Sequence, residues 1–149
     1  MTNADTLPSL SPSPSMFVPA APPRRLRSVG AVAAGLVSIF AVTTAVDALL
    51  HATGVFPPLS APPMSHTLFA LAFGYRFVID VAGCWLTARL APRRPLRHAL
   101  VLGGIGLLLS IAGAVAMWDA SRAWYPIALA ASSLPCGWLG GRLAERTRG

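Results

Sequence analysis

The chain has 149 residues, of which 54% are hydrophobic and only 11% charged, and its mean hydropathy is +0.61. A soluble domain usually carries about 25% charged residues, so this composition is typical of a membrane protein with room for one small domain. The net charge of +7 comes from twelve arginines and no lysine against five acidic residues. These arginines lie in short clusters between apolar runs, as topology determinants do. We therefore expect no nucleic-acid partner.

Residues 1–23 form an N-terminal tail rich in Ser, Pro and Ala. The tail has no hydrophobic periodicity and too few large apolar residues to form a core, so we predict that it is disordered. Met16 is a second candidate for the start of translation, which would shorten the tail. Residues 24–149 are predicted to form one transmembrane domain.

Four apolar runs follow the tail, and a membrane-spanning helix needs about 17–25 such residues. We place the spans at about 28–50, 67–90, 98–118 and 126–143. The first run is longer than the h-region of a signal peptide, about 7–15 residues, so we interpret it as a retained span. The predicted fold class is all-α, an integral membrane four-helix transmembrane bundle.

The first span becomes polar on one side towards its far end. Thr43, Thr44, Asp47 and His51 share one face at helical spacing. His51 is interpreted as an interfacial residue at the helix end. Asp47 is a candidate functional residue, because carboxylates within spans usually face a partner or a cavity.

The second span contains two ionisable residues, Arg76 and Asp80, four positions apart on one helix face. Each costs about 2.5–3.5 kcal/mol at the centre of an inserted helix, so this face must be hidden within a bundle. The stripe predicted to face inward comprises Phe69, Ala72, Arg76, Asp80, Gly83 and Thr87. The opposite side, predicted to face lipid, comprises Leu71, Gly74, Val78, Val81 and Trp85. Ser65 is predicted to cap the start of this helix.

Arg76 lies roughly 13–15 Å along the second span at a rise of 1.5 Å per residue, and side chains lean towards the helix N-terminus. Asp47 on the first span is therefore within reach. We predict an intramembrane charge network of Asp47, Arg76 and Asp80. Two interpretations remain open: a structural clasp between helices, or a pathway for a solute or a proton.

Small residues in the last two spans predict close packing of helix backbones. The residues concerned are Gly103, Gly106 and Ser110 in the third span and Gly137 and Gly141 in the fourth. The two cysteines, Cys84 and Cys136, also fall inside spans at similar depth, and we predict that both are free thiols.

The distribution of arginines predicts the orientation. Ten of the twelve fall on one side: Arg24, Arg25, Arg27, Arg89, Arg93, Arg94, Arg97, Arg142, Arg146 and Arg148. Only Arg122 falls on the other side, and Arg76 lies within a span. Under the positive-inside rule, both termini and the central loop are cytoplasmic.

Three short motifs are distinctive: Tyr75–Arg76, Ala91–Pro92 with Pro95 and His98–Ala99, and Trp124–Tyr125–Pro126. Through them the segment from about residue 49 to residue 146 resembles a group of small bacterial four-span membrane proteins whose function is uncharacterised. The resemblance implies a bacterial cytoplasmic (inner) membrane location and a four-helix fold. It implies no reaction.

The sequence carries no nucleophile–base pair, metal-ligand cluster or phosphate loop, and His51, His66 and His98 do not share one membrane side. We therefore expect neither an enzyme nor a cofactor nor a metal. The expected function is structural or accessory, with the lipid bilayer and either further copies or another membrane subunit as partners. The alternative is a small oligomeric transporter or channel that uses Asp47, Arg76 and Asp80.

Overall fold

The computed structural model describes residues 24–58, 64–116, 118 and 122–147. Within these ranges the chain is all-α and has no strand. Its four helices are α1 Arg24–Ala52, α2 His66–Leu90, α3 Pro95–Ala116 and α4 Trp124–Arg146. The predicted all-α four-helix fold is confirmed. The tail predicted to be disordered, and Arg148, lie outside the described residues.

Local chemistry determines where the central helices begin and end. Ser65 caps α2 as predicted, because its Oγ accepts a hydrogen bond from the Leu68 backbone N–H at 3.3 Å. Pro95, which has no N–H to satisfy, is the first residue of α3. Arg94 adopts a left-handed φ of 50°, and the Arg97 N–H bonds to its carbonyl at 3.1 Å. These features form a tight turn between α2 and α3.

Consecutive helices run antiparallel, so the bundle has two distinct ends. The loop end contains the α1–α2 and α3–α4 connections, and the arginine end contains the start of α1, the α2–α3 turn and the end of α4. At the loop end, Trp124 Nε1 donates to His66 Nδ1 at 3.1 Å. At the arginine end, Arg89 Nη1 donates to the Thr147 carbonyl at 2.9 Å. These bonds join α2 and α4 at both ends.

Helix α4 packs most extensively against α3 and α2, whereas α1 lies at the edge and contacts mainly α2. Two apolar clusters hold the bundle together. The arginine-end cluster comprises Cys84, Ala88, Ala99, Leu102 and Ala144. The loop-end cluster comprises Phe56, Phe69, Ala72 and Tyr125. The middle of the bundle lies between these two clusters.

Glycines allow α3 and α4 to approach closely. A Cβ atom added to Gly103 would lie 2.8 Å from the Ser133 carbonyl oxygen, and one added to Gly137 would lie 2.9 Å from that of Ala99. Gly141 is as tight, with a Leu96 methyl carbon at 2.6 Å. Gly106 is different, because its nearest neighbour, Ser133 Oγ, would lie at an ordinary 3.8 Å. Of these positions, Gly103, Gly137 and Gly141 therefore set the helix spacing.

Three further close approaches were not predicted from the sequence. Gly35 of α1 faces Thr87 and Gly83 of α2, and Gly83 in turn faces Ile39. On the other side of α2, a Cβ atom added to Gly140 would lie 2.6 Å from the backbone nitrogen of Trp85. Helix α2 is therefore packed tightly against both α1 and α4.

Three helices, α1 from Arg25 onward, α2 and α3, are long and apolar enough to cross a membrane, which indicates a membrane protein. Large apolar side chains cover their outer faces, among them Phe40, Val78 and Leu108. Of the described helices, α4 alone does not meet this criterion, since Arg142, Glu145 and several small or polar residues lower its hydropathy. The fourth span remains a prediction.

Candidate functional site

A polar contact joins α1 to α2 near the loop end. The Asp47 carboxylate lies between two neighbouring residues of α2. Arg76 Nη2 lies 2.5 Å from Asp47 Oδ2, and the Tyr75 hydroxyl donates a hydrogen bond to Asp47 Oδ1. We call this arrangement of Asp47, Tyr75 and Arg76 the Asp47 clasp. Each carboxylate oxygen has one donor, so the charge of Asp47 is both paired and hydrogen-bonded.

His51 lies one turn beyond Asp47 but does not touch its carboxylate. Its Nδ1 donates a hydrogen bond to the Asp47 backbone carbonyl at 2.8 Å. Its ring packs edge-on against the Phe56 ring, with 5.5 Å between the ring centroids. His51 therefore stabilises the end of α1, in keeping with its interpretation as a residue at the helix end.

Asp80 lies one helical turn beyond Arg76 and takes no part in the clasp. Within the described residues it has no ion pair within 4.0 Å and no hydrogen bond. The structure thus brings Asp47 and Arg76 together and leaves Asp80 outside. Asp80 makes no ion pair with Arg76 within 4.0 Å, but it lies close enough to interact with it electrostatically. The network of Asp47, Arg76 and Asp80 therefore stays a prediction.

A cleft of about 210 Å³ lies at mid-height of the bundle and is lined by all four helices, including Cys84 and Leu102 of the arginine-end cluster. We call it the mid-bundle cleft. Its walls are mostly apolar. Its polar or ionisable lining comes from Thr43 of α1, Arg76, Asp80 and Cys84 of α2, Ser110 of α3, and Ser133 and Cys136 of α4.

The charges around this cleft do not balance. Arg76 is paired with Asp47, which lies outside the lining, and among the described residues Asp80 is the one carboxylate that lines the cleft. The Arg76 Nε atom is buried and has no hydrogen-bond partner. The Ser133 hydroxyl donates to the Leu129 carbonyl at 2.9 Å, so only its acceptor lone pairs face other groups. Arg76 therefore belongs to both the Asp47 clasp and the cleft lining. Asp47, Arg76 and Asp80 together carry one net negative charge.

The two cysteines are free and buried, and both line the cleft. The Cys136 thiol donates a weak hydrogen bond to the Phe77 carbonyl, with the sulfur 3.8 Å from the oxygen. Across the part of the chain that the structure describes, no group of three or more His, Cys, Asp or Glu could hold a metal ion. The cleft therefore offers charge and hydrogen-bonding groups but no metal centre there.

Reasoning from the sequence did not identify Tyr75 as a partner of Asp47. One signal was available: a tyrosine hydroxyl buried in an apolar segment usually finds a hydrogen-bond partner, and Tyr75 directly precedes Arg76. Ser110 and Gly106, predicted as helix-packing residues, both lie along the cleft. Their small side chains leave the cleft open between α1 and α3.

No protein-family model, curated protein or solved structure matches the chain. The Asp47 clasp and the mid-bundle cleft are therefore the two features from which a function is inferred.

Proposed function

We propose that the chain is an integral membrane protein with a structural or accessory role, a subunit of a membrane assembly rather than an enzyme. Its partners are the lipid bilayer and either further copies of itself or another membrane subunit. The observation that supports this proposal is the Asp47 clasp. Both oxygens of Asp47 are engaged by donors from α2, so the intramembrane ion pair fastens two helices together.

The edge position of α1 gives the clasp its importance. This helix leaves much of its surface exposed, including 65% of Val37 and 74% of Phe40, and it has little contact with α4. The clasp near the loop end and the Gly35–Thr87 contact near the arginine end hold it in place. An edge helix fixed at two points offers a rigid apolar surface to lipid or to a neighbouring subunit.

The proposal includes four spans in a bacterial inner membrane, with both termini in the cytoplasm. Helix α4 is joined to α2 at both ends, by Trp124–His66 and Arg89–Thr147, so it extends over the same height as α2, which supports a fourth span beside it. Its glycines and serines face other helices, which removes the need for an apolar surface all around. The clustering of arginines at one end supports the orientation.

The assembly is tested by measuring the mass of the purified, tagged chain in a mild detergent, together with cross-linking in intact membranes. We expect a homo-oligomer or a stoichiometric complex with one other membrane protein. A monomer that yields no cross-linked neighbour in membranes would contradict the proposal.

A small transporter or channel is the second candidate, and the mid-bundle cleft supports it. Asp80 faces a space that all four helices line, and intramembrane carboxylates commonly mark pathways for solutes or protons. The variants Asp47→Asn and Asp80→Asn separate the two functions. For an accessory protein, Asp47→Asn lowers abundance and Asp80→Asn leaves assembly unchanged. For a transporter, Asp80→Asn accumulates to the parental level but loses flux.

A further inference from the structure

We propose that the mid-bundle cleft binds a small organic monocation, an ammonium ion with a compact apolar body, through the carboxylate of Asp80. This inference names the ligand class for the second candidate function. It does not depend on the accessory role.

The charge balance of the site carries the inference. A carboxylate in an apolar environment is costly unless it is paired or takes up a proton. The cation nearest in sequence, Arg76, is held by Asp47 at 2.5 Å, and the described part of the chain offers Asp80 no ion pair. Arg76 also lines the cleft, and the other titratable groups of the described lining are the thiols Cys84 and Cys136, which carry no positive charge. A bound monocation would make the whole cluster neutral.

The lining suits an ammonium group with an apolar body. The hydroxyl groups of Thr43 and Ser110 line the same cleft as Asp80 and can accept hydrogen bonds from N–H donors. The rest of the lining includes Leu36, Ile39 and Leu109. The carboxylate and hydroxyl groups would therefore contact the positive end of such a ligand, and the apolar side chains would contact its apolar end.

The volume sets the size of the ligand. A cavity of about 150 Å³ holds one benzene molecule. The cleft measures about 210 Å³, so it accommodates a single ring or a short branched chain together with one ammonium group. Benzylammonium has this size and chemistry.

The depth and the ligands disfavour other occupants. Lipid headgroups lie about 15 Å from the centre of a bilayer, because the hydrocarbon core is about 30 Å thick, whereas this cleft lies at mid-height of the bundle. A divalent metal prefers several oxygen ligands, and the cleft supplies one carboxylate.

Asp47 has an indirect role in this site, because it holds the Arg76 guanidinium in an ion pair. Arg76 and Asp80 are four residues apart on one face of α2, where an unrestrained guanidinium can reach the carboxylate. Asp47→Asn should therefore release Arg76, which then neutralises Asp80 and excludes the ligand. Removing the guanidinium as well, in Asp47→Asn with Arg76→Leu, should restore binding relative to the single variant.

Equilibrium dialysis of the full-length protein in detergent tests the proposal, with radiolabelled benzylammonium as the probe and with benzyl alcohol and benzoate as competitors. We expect saturable binding at one site, with neither competitor displacing it. Asp80→Asn should bind at least about tenfold more weakly, since a lost charge pair worth about 1.4 kcal/mol has that effect. Gly104→Ala, where nothing lies within 4 Å, is the control variant.

Thermal unfolding in detergent identifies the variants that remain folded. If Asp47→Asn fails to fold, the double variant Asp47→Asn with Arg76→Leu replaces it. This double variant must bind benzylammonium if the Asp80 carboxylate holds the ammonium group. Binding that is retained in folded Asp80→Asn would overturn the proposal. Equal binding of benzyl alcohol would also overturn the proposal. The absence of saturable binding of benzylammonium to the folded parent would overturn it as well, and would indicate that Asp80 takes up a proton instead.

Discussion

Asp47 of α1 and Arg76 of α2 form an ion pair with 2.5 Å between Oδ2 and Nη2, although they are 29 positions apart in the chain. Tyr75 donates to the second carboxylate oxygen. An ion pair withdrawn from water is most stable when its remaining hydrogen-bonding positions are filled, and in this half-buried pair both oxygens have donors. The geometry therefore makes α1 dependent on two adjacent residues of α2.

Tyr75→Phe removes one donor from the clasp and leaves the ring in place. We expect a loss of about 1–3 kcal/mol in the free energy of unfolding, because the bond is to a charged acceptor. Thermal unfolding in detergent measures it. An unchanged free energy of unfolding for Tyr75→Phe would argue against the Tyr75 contact.

Gly140→Ala tests the close approach of α4 to α2. The new methyl group would lie 2.6 Å from the Trp85 nitrogen and 2.7 Å from the Val81 oxygen, both backbone atoms that cannot move alone. Overpacking of this kind typically costs about 1–3 kcal/mol. Gly104→Ala, in open space on α3, should be neutral or slightly stabilising. An unchanged melting temperature for Gly140→Ala would contradict the packing.

The cysteines should remain reduced in the folded protein. Cys84 and Cys136 are 2% and 1% exposed, and buried thiols in apolar surroundings react poorly. We expect an intact mass with two free thiols and slow alkylation by a bulky maleimide until the protein is denatured. A mass lower by two hydrogen atoms without added oxidant would show that the thiols have formed a disulfide and would refute this prediction.

The orientation can be tested by reporter fusions. Fusions after Gly149 and within residues 93–97 should report the cytoplasm, and fusions after Ser60 and Ser121 should report the opposite side. The Gly149 fusion is the most informative, because its cytoplasmic signal depends on α4 crossing the bilayer. A cytoplasmic signal from the Ser60 fusion would exclude the four-span topology.

The inward face of α2 could be predicted from its sequence. Phe69, Ala72, Gly83 and Thr87 are all buried. On the side predicted to face lipid, Leu71 and Val78 are exposed. Helical periodicity and the cost of exposing Arg76 to lipid were sufficient for this result. At Trp85 the prediction was wrong, because Gly140 brings α4 across that part of α2.

The site was predictable only in part. Helical rise and side-chain direction placed Asp47 within reach of Arg76, but they could not decide which of two carboxylates would hold the guanidinium. That choice depends on the tertiary packing of α1 against α2, which local sequence patterns do not specify. The cleft was not predictable, because it arises where α1 and α3 fail to pack closely.

The central claim is that Arg76 stabilises the bundle by neutralising Asp47. Arg76→Ala leaves that carboxylate without its cation. Breaking a fully buried pair in this way typically costs ~3–5 kcal/mol, and we expect a smaller loss here because the two side chains are 31% and 28% exposed. The matched variant combines Arg76→Leu with Asp47→Asn, which removes both charges and retains an acceptor for the Tyr75 hydroxyl.

The most direct measurement compares the amount and the melting temperature of folded protein in detergent for the parent, Arg76→Ala and the matched variant. The clasp predicts a sharp loss for Arg76→Ala and recovery of most of it in the matched variant, since no unpaired charge remains at Asp47. If Arg76→Ala accumulates and melts like the parent, the ion pair does not stabilise the bundle and the claim is contradicted.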